Sequence, residues 1–137
     1  MTLVLDHVAL AVPGLDAAVA RHVDLLGHRL LRRGTHVVTG GGIAMLADAG
    51  GGKVELIEGS DPDLGHVAYR APDPAALDAA HARLRAAGYV ELSEPFRLEP
   101  ARARTSFLRD PAGHRVQLVA YDPGSPDLVP DPLGASS

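Results

Sequence analysis

The sequence contains no cysteine, no tryptophan, no long apolar run and no excess of positive charge. The absence of cysteine excludes disulfides, thiolate metal ligands and a cysteine nucleophile, and it fits a reducing cytosol. With 13 basic and 17 acidic residues, the net charge of -4 argues against a nucleic-acid partner, which needs clustered Lys and Arg. No segment approaches the roughly 20 apolar residues of a membrane span. We therefore expect a cytoplasmic protein without a membrane or nucleic-acid partner.

The 137 residues correspond to one domain, a size at which folding removes roughly two-thirds of the unfolded surface from water. The first residues, MTLVLDHVALAV, carry Asp6 and His7 inside an apolar run and lack a basic leader, so we expect no signal peptide. At the other end, residues 123–137 are rich in Pro, Asp, Ser and Gly. We expect this C-terminal tail to be flexible or to lie over a neighbour.

An internal repeat organises the chain. DHVALAVP at 6–13 matches GHVAYRAP at 65–72, and LADAGGGKVELI at 46–57 matches LRDPAGHRVQLV at 108–119. The turn-rich middles of the second pair lie between apolar runs, which is typical of hairpin connections. The glycine runs at 40–42 and 50–52 are also predicted to lie between strands, and this does not favour a phosphate-binding loop, which requires a strand-to-helix junction.

A helix is predicted after the opening strand of each half. In the second half Asp73 can cap the helix and Pro74 suits its first position. Gly27 and Gly88 are placed to end the two helices. The predicted apolar stripes are Leu15, Val19, Val23 and Leu26 in the first half and Leu77, Ala80 and Leu84 in the second. Each half is therefore strand, helix and about three strands, which gives an α+β chain with modules at residues 1–60 and 61–122.

Four polar residues occupy equivalent places in the two halves, His7 with His66 and Glu55 with Gln117. Taken singly, a strand histidine is often a hydrogen-bonded, half-buried residue, and Glu or Gln can face water on a one-sided sheet. Taken together, they favour a metal site, because a cation stabilises a carboxylate that would be costly to bury alone. Two imidazoles and two oxygen ligands suit octahedral Ni, Co, Mn, Fe or Zn with two positions left for substrate.

The surroundings of these residues also follow from the strand pattern. His7 shares its face with the small residues Ala9 and Ala11, which predicts an open volume beside it. The branched residues Val8, Leu10 and Val12 point the other way, and we expect a helix to cover them. The remaining histidines have no repeat partner and are interpreted as surface residues: His22, His28, His36, His81 and His114.

The repeated unit, with DHVALAV, VELIEG, GHVAYRAP and FLRDPAGHRVQLV at its ends, resembles the vicinal oxygen chelate superfamily. That group includes glyoxalase I, methylmalonyl-CoA epimerase, extradiol dioxygenases, fosfomycin-resistance enzymes and bleomycin-resistance binding proteins. The resemblance covers about residues 3 to 121 and is strongest at DPAGHRVQL, residues 110–118. It implies two tandem βαβββ modules that form a curved mixed-sheet cup around a divalent metal ion, usually in a homodimer.

The resemblance puts the four ligand positions at His7, Glu55, His66 and Gln117. Glyoxalases, dioxygenases and fosfomycin enzymes typically have Glu at the last position, and in glyoxalase-like members it also transfers protons. Epimerase-like members use two His, one Gln and one Glu, and their Gln and Glu occupy the opposite places from Gln117 and Glu55 in this chain. Glu55 is therefore the candidate catalytic base, and its metal bond would have to loosen for that role. Arg70, on the His66 face, is a candidate for binding a substrate carboxylate or phosphate, the alternative being an arginine that points to solvent.

The leading functional hypothesis is a metal-dependent lyase, isomerase or epimerase. It would act on a small molecule with vicinal oxygens through a metal-stabilised enolate. The alternative is a non-catalytic drug- or metabolite-binding protein of the bleomycin-resistance type. A ring-cleaving dioxygenase is the third hypothesis, weakened because its iron carboxylate corresponds to the Gln117 place.

Overall fold

The computed structural model describes residues 2–129. This part of the chain divides into two compact units, which we call the first unit (residues 7–65 and 126–129) and the second unit (residues 2–6 and 66–125). Within the described residues, no helix is both long and apolar enough to cross a membrane. The predicted module boundaries, 1–60 and 61–122, stay a prediction.

The described chain contains eight strands and two α-helices, together with single 3-10 turns at Pro62–Leu64 and Glu99–Ala101. Their order repeats as strand, helix and three strands, as the sequence predicts. The elements are β1 (Val4–Val12), α1 (Leu15–Asp24), β2 (Arg29–Thr35), β3 (Gly42–Ala47), β4 (Lys53–Glu58), β5 (His66–Arg70), α2 (Pro74–Ala86), β6 (Val90–Leu98), β7 (Ala103–Arg109) and β8 (Arg115–Tyr121).

The strands of the first unit lie in the order β2-β3-β4-β1. β1 runs parallel to β4, whereas β2–β3 and β3–β4 are antiparallel hairpin pairs. The β2–β3 connection contains Gly40 and Gly41, and the β3–β4 connection contains the glycine run at 50–52, which confirms that these glycines lie between strands. Helix α1 packs against one face of this sheet. The buried cluster between them comprises Val12, Leu15, Ala18, Val19, Ala44, Leu46 and Leu56.

The second unit repeats this arrangement with the order β5-β8-β7-β6. β5 is parallel to β8, and the β7–β8 and β6–β7 pairs are antiparallel. Its core between α2 and the sheet comprises Ala71, Leu77, Ala80, Leu108, Leu118 and Ala120. The internal repeat in the sequence is therefore a repeat of sheet order and helix placement.

The predicted helix signals are largely confirmed. The Asp73 carboxylate accepts a 2.8 Å hydrogen bond from the Ala76 amide, and Pro74 opens α2. Gly27 and Gly88 follow the two helices with positive φ angles of 72° and 99°, which a residue with a Cβ rarely adopts. The first stripe is shorter than predicted, because α1 ends at Asp24 and leaves Leu26 outside the helix.

The side chains of β1 alternate as predicted, but the helix cover of its branched residues differs from the prediction. Ala9 is buried, whereas Val8 and Leu10 are 38% and 45% exposed. Ala9 packs with Ile57 and with Leu64 of the Pro62–Leu64 turn. Helix α1 packs against Val12 of β1 and against β3 and β4, whereas Val8 and Leu10 on the same face remain exposed.

The start of the C-terminal segment is held by specific contacts, which corrects the expectation of a flexible tail for residues 123–129. Ser125 is buried and its hydroxyl donates to the Ala101 carbonyl in the second unit. Asp127 is buried in the first unit, where it binds Arg32. The rest of the predicted tail, residues 130–137, lies outside the described residues.

Candidate functional site

Two parallel strand pairs carry the four predicted ligands, and their registers are the same. In the first unit Ala9 pairs with Glu55, so His7, two residues earlier on β1, lies on the face of the carboxylate. In the second unit Ala68 pairs with Gln117, and His66 lies two residues before Ala68. Each unit therefore presents one imidazole and one oxygen ligand on one face of a parallel strand pair.

In the first unit, Glu55 lies between an imidazole and a guanidinium group. Its Oε1 is 3.9 Å from His7 Nε2, and its Oε2 is 3.9 Å from a terminal nitrogen of Arg32. The side chains of His7 and Glu55 are 3% and 13% exposed. Arg32 in turn donates two hydrogen bonds of 2.8 Å to the Asp127 carboxylate. One Glu55 oxygen thus faces an imidazole and the other faces a guanidinium group.

In the second unit, the Gln117 amide has a defined orientation. Its Nε2 donates to Thr105 Oγ1 at 2.8 Å, and the Thr105 hydroxyl donates to the Leu118 carbonyl at 2.7 Å. Its Oε1 lies 2.9 Å from His66 Nε2. An amide oxygen only accepts, so His66 Nε2 carries the hydrogen in this arrangement. The amide oxygen therefore points to the imidazole nitrogen that is the candidate ligand.

Of the two donor pairs, only His66 with Gln117 has the separation of two ligands of one octahedral ion. In an octahedral site with bonds of about 2.1 Å, adjacent donors lie about 3.0 Å apart and opposite donors about 4.2 Å apart. The separation of His66 Nε2 and Gln117 Oε1, 2.9 Å, is that of adjacent ligands. The separation of His7 Nε2 and Glu55 Oε1, 3.9 Å, lies between the two values. To bind an ion through Nε2, His66 must move its ring hydrogen to Nδ1.

Arg70, the predicted substrate-binding residue, lies beside a buried carboxylate. Its guanidinium is 3.7 Å from Asp6 Oδ1, and its side chain is 32% exposed. Asp6 also accepts a hydrogen bond from the Tyr121 hydroxyl. A structural role as the counter-ion of Asp6 therefore accompanies any role with substrate, and the predicted role stays a prediction.

The interpretation of His81 as a surface residue is wrong. Its ring is buried, with Nδ1 2.8 Å from Ser106 Oγ and Nε2 2.6 Å from Glu91 Oε2. A sequence signal was present, because position 81 follows Leu77 by four residues and belongs to the buried face of α2. Among the other unmatched histidines, His114 is exposed, and the partly buried ones are His22, His28 and His36.

Arg32 and Asp127 are the site residues that sequence reasoning missed. A register shift between Leu30 and Arg32 interrupts the alternation of β2, so the strand pattern cannot assign the facing of Arg32. Asp127 lies 95 residues away in the sequence, within a segment without periodicity. No local pattern therefore pairs the two residues.

Residues 4–118 match the Glyoxalase/Bleomycin resistance protein/Dioxygenase superfamily. None of the curated proteins matches this chain. The match confirms the family resemblance and, with the solved structures below, the predicted α+β fold class of two βαβββ modules. The expected homodimer stays a prediction.

Solved structures of similar fold include two epimerases. Methylmalonyl-CoA epimerase from Mycobacterium tuberculosis is 29% identical with a TM-score of 0.71, and the match covers 87% of this chain and 88% of that one. A variant of the Streptomyces coelicolor methylmalonyl-CoA epimerase, in complex with 2-nitronate-propionyl-CoA, is 26% identical with a TM-score of 0.71 and coverages of 88% and 99%.

A third similar structure supports the fold alone. It is 2,2',3-trihydroxybiphenyl 1,2-dioxygenase from Sphingomonas wittichii strain RW1, at 22% identity and a TM-score of 0.66. The match covers 85% of this chain and 41% of the dioxygenase.

Proposed function

This chain belongs to the Glyoxalase/Bleomycin resistance protein/Dioxygenase superfamily, and from that premise we propose that it is a divalent-metal-dependent isomerase of the epimerase type. Its substrate would be a small molecule with vicinal oxygens, and the reaction would remove and return a proton beside a carbonyl. The likeness to two methylmalonyl-CoA epimerases at 29% and 26% identity favours epimerisation over the lyase and dioxygenase alternatives. It also makes an acyl-CoA thioester the first substrate to test.

The observation that carries the proposal is the equal placement of a histidine and an oxygen ligand in the two units. Glu55 and Gln117 stand at the same register of equivalent parallel strand pairs, and each has a histidine on its face. We propose that His7, Glu55, His66 and Gln117 are the four protein ligands of one ion. Such an ion acts as a Lewis acid that stabilises negative charge on the substrate oxygens.

The protein side chains would then set the charge of the site, accept the proton and bind the substrate. Three neutral ligands and a single carboxylate leave a divalent site with a formal charge of about +1, which favours an anionic intermediate. Glu55 is the proposed proton acceptor, since its side chain is 13% exposed and its two oxygens have separate neighbours. Arg70 is proposed to bind an anionic group of the substrate with the part of its guanidinium that Asp6 leaves accessible.

The proposed function is tested by metal content and by hydrogen exchange. Protein purified without chelator should bind one equivalent of Ni²⁺ or Co²⁺ per chain in a calorimetric titration. The loaded protein should exchange the α-proton of methylmalonyl-CoA for deuterium in D₂O, followed by NMR. His7→Ala/His66→Ala should abolish both, because both imidazole ligands are removed. The matched control His22→Ala/His114→Ala also loses two histidines and should keep both activities.

A non-catalytic binding protein is the second candidate, and one observation favours it. The Gln117 amide has partners on both ends, His66 and Thr105, without any ion. If the wild-type chain takes up no divalent metal at micromolar concentrations, the epimerase proposal is wrong. Metal uptake without exchange of the α-proton of methylmalonyl-CoA or other acyl thioesters would refute the proposed reaction but not the proposed metal site.

A further inference from the structure

Arg32 lies between two carboxylates of the first unit. On β2 it pairs with Met45 of β3, and Met45 pairs with Glu55 of β4, so the three residues form one row across the sheet. The guanidinium donates from Nε and from a terminal nitrogen to the two oxygens of Asp127, each at 2.8 Å. The same terminal nitrogen is 3.9 Å from Glu55 Oε2. Arg32 thus makes hydrogen bonds of 2.8 Å to Asp127 and a longer ion pair of 3.9 Å with Glu55.

Asp127, in the C-terminal segment, is held by both its side chain and its main chain. It is 1% exposed, and its main-chain carbonyl accepts a hydrogen bond from the ammonium group of Lys53, which is also buried. A bidentate arginine–carboxylate pair has a fixed geometry, because two parallel hydrogen bonds hold two planar groups. Both the side chain and the main chain of Asp127 therefore anchor residues 126–129 to the unit that holds Glu55.

We propose that Asp127 is a positioning residue for Glu55 and acts through Arg32, an inference that rests on the proposed metal site. The bidentate bond directs the guanidinium to Asp127 and neutralises its charge. The Glu55 carboxylate then keeps its negative charge for the ion, with Oε1 facing His7 and Oε2 facing Arg32. The C-terminal segment is therefore part of the site.

The charge balance explains why Asp127 matters. A buried guanidinium that loses its carboxylate partner is costly and pairs with another carboxylate within reach. Arg32 has Glu55 at 3.9 Å, so a small movement of its side chain would bring the two groups into hydrogen-bond distance. A Glu55 in such a pair would be a poorer ligand, because the guanidinium would compete with the metal ion for the same oxygens.

The test is a Ni²⁺ titration of purified full-length variants by calorimetry. Asp127→Asn should weaken Ni²⁺ binding about tenfold, as outer partners of metal ligands typically contribute 10- to 100-fold. The matched control is Asp122→Asn, which also breaks a bidentate pair, that of Asp122 with Arg97 at 2.9 and 2.7 Å. That pair is exposed and includes none of the proposed ligands, so Ni²⁺ affinity should be unchanged.

A double-substitution cycle separates positioning from general stability. Arg32→Met removes the guanidinium that Asp127→Asn would leave without its carboxylate partner, so Arg32→Met/Asp127→Asn should fold even where Asp127→Asn melts early. If Asp127 acts through Arg32, Asp127→Asn should change Ni²⁺ affinity in the wild-type background and not in the Arg32→Met background. The visible spectrum of bound Co²⁺ should likewise change in Asp127→Asn and not between the two Arg32→Met proteins.

The outcomes test the metal site and the positioning role of Asp127 separately. Failure of the wild-type chain to bind Ni²⁺ overturns both the metal site and the role of Asp127. Wild-type binding with unchanged affinity in Asp127→Asn keeps the metal site and overturns the positioning role. An equal loss of affinity in both backgrounds shows that Asp127 does not act through Arg32, which also overturns it.

Discussion

Replacing Gln117 with glutamate tests whether residue 117 needs its hydrogen bond to Thr105 and whether it faces a metal ion. The change is nearly isosteric and converts the amide nitrogen, which donates to Thr105 Oγ1, into an oxygen that cannot donate when ionised. The Thr105 hydroxyl hydrogen already goes to the Leu118 carbonyl. In the metal-free protein the new carboxylate oxygen therefore faces another acceptor at a position that is 5% exposed.

The expected loss of stability follows from that geometry. A buried polar atom without its hydrogen bond costs about 1–3 kcal/mol. The hydrogen on His66 Nε2, which is 2.9 Å from the residue 117 side-chain oxygen, would bind a carboxylate oxygen more strongly than an amide oxygen and offset part of this loss. A net loss of about 2 kcal/mol corresponds to a fall in Tm of roughly 6–10 °C for a chain of this size.

A bound metal ion should reverse this loss. A carboxylate is a stronger ligand than an amide for a hard divalent ion. A ligand at 100 times its Kd adds about 2.7 kcal/mol to the free energy of unfolding. The rise in Tm on adding Ni²⁺ should therefore be larger for Gln117→Glu than for the wild type.

The assay is a calorimetric melt of both proteins in chelator and in excess Ni²⁺. Thr105→Val is the control: it removes the partner of the amide without adding charge, so it should lower Tm without enlarging the Ni²⁺ effect. If Gln117→Glu melts at the wild-type temperature in chelator and gains nothing from Ni²⁺, residue 117 neither needs its amide hydrogen bond nor faces an ion.

Two further predictions concern the second unit. His81→Phe should lower the free energy of unfolding by about 2 kcal/mol in urea titrations, because it leaves the buried Ser106 hydroxyl without its partner, while Ni²⁺ affinity is unchanged; equal stability would contradict the role of His81. The hydrogen bond from Arg97 lowers the pKa of Asp122 below its ordinary value, so this carboxylate contributes stability above its unfolded pKa and loses it as pH falls through the lowered folded pKa. Asp122→Asn should therefore reduce the dependence of stability on pH in acid, and an unchanged profile in urea titrations at pH 2 to 5 would refute this.

The fold could be predicted because its main signal is repeated. Two segments of similar pattern, at 46–57 and 108–119, give β3–β4 and β7–β8 with equivalent registers. A repeated strand pattern specifies which side chains share a face, since the side-chain period of a strand is two residues. Equivalent places in the sequence therefore became equivalent places in the sheets, and Glu55 and Gln117 follow this rule.

The interactions around the predicted ligands could not be predicted. The irregularity in β2 hides the facing of Arg32, because one extra residue reverses the alternation. The partner of Arg32, Asp127, comes from a segment whose composition indicates only a loop. Hydrogen bonds between residues distant in sequence leave no periodic signal, so both partners are visible only in three dimensions.

The hydrogen-bond donors and acceptors around residue 117 explain why this position carries an amide. Thr105 has given its hydroxyl hydrogen to Leu118, so it requires a donor from residue 117, which an ionised glutamate cannot supply. On the other side, His66 Nε2 requires an acceptor while it carries a hydrogen, and the amide oxygen provides one. A metal ion at His66 would replace that hydrogen with a cation, and the same oxygen would face it without any change at Thr105. Glutamine thus satisfies its neighbours in the metal-free protein and offers a neutral ligand in the metal-bound one, whereas a carboxylate suits only the second state.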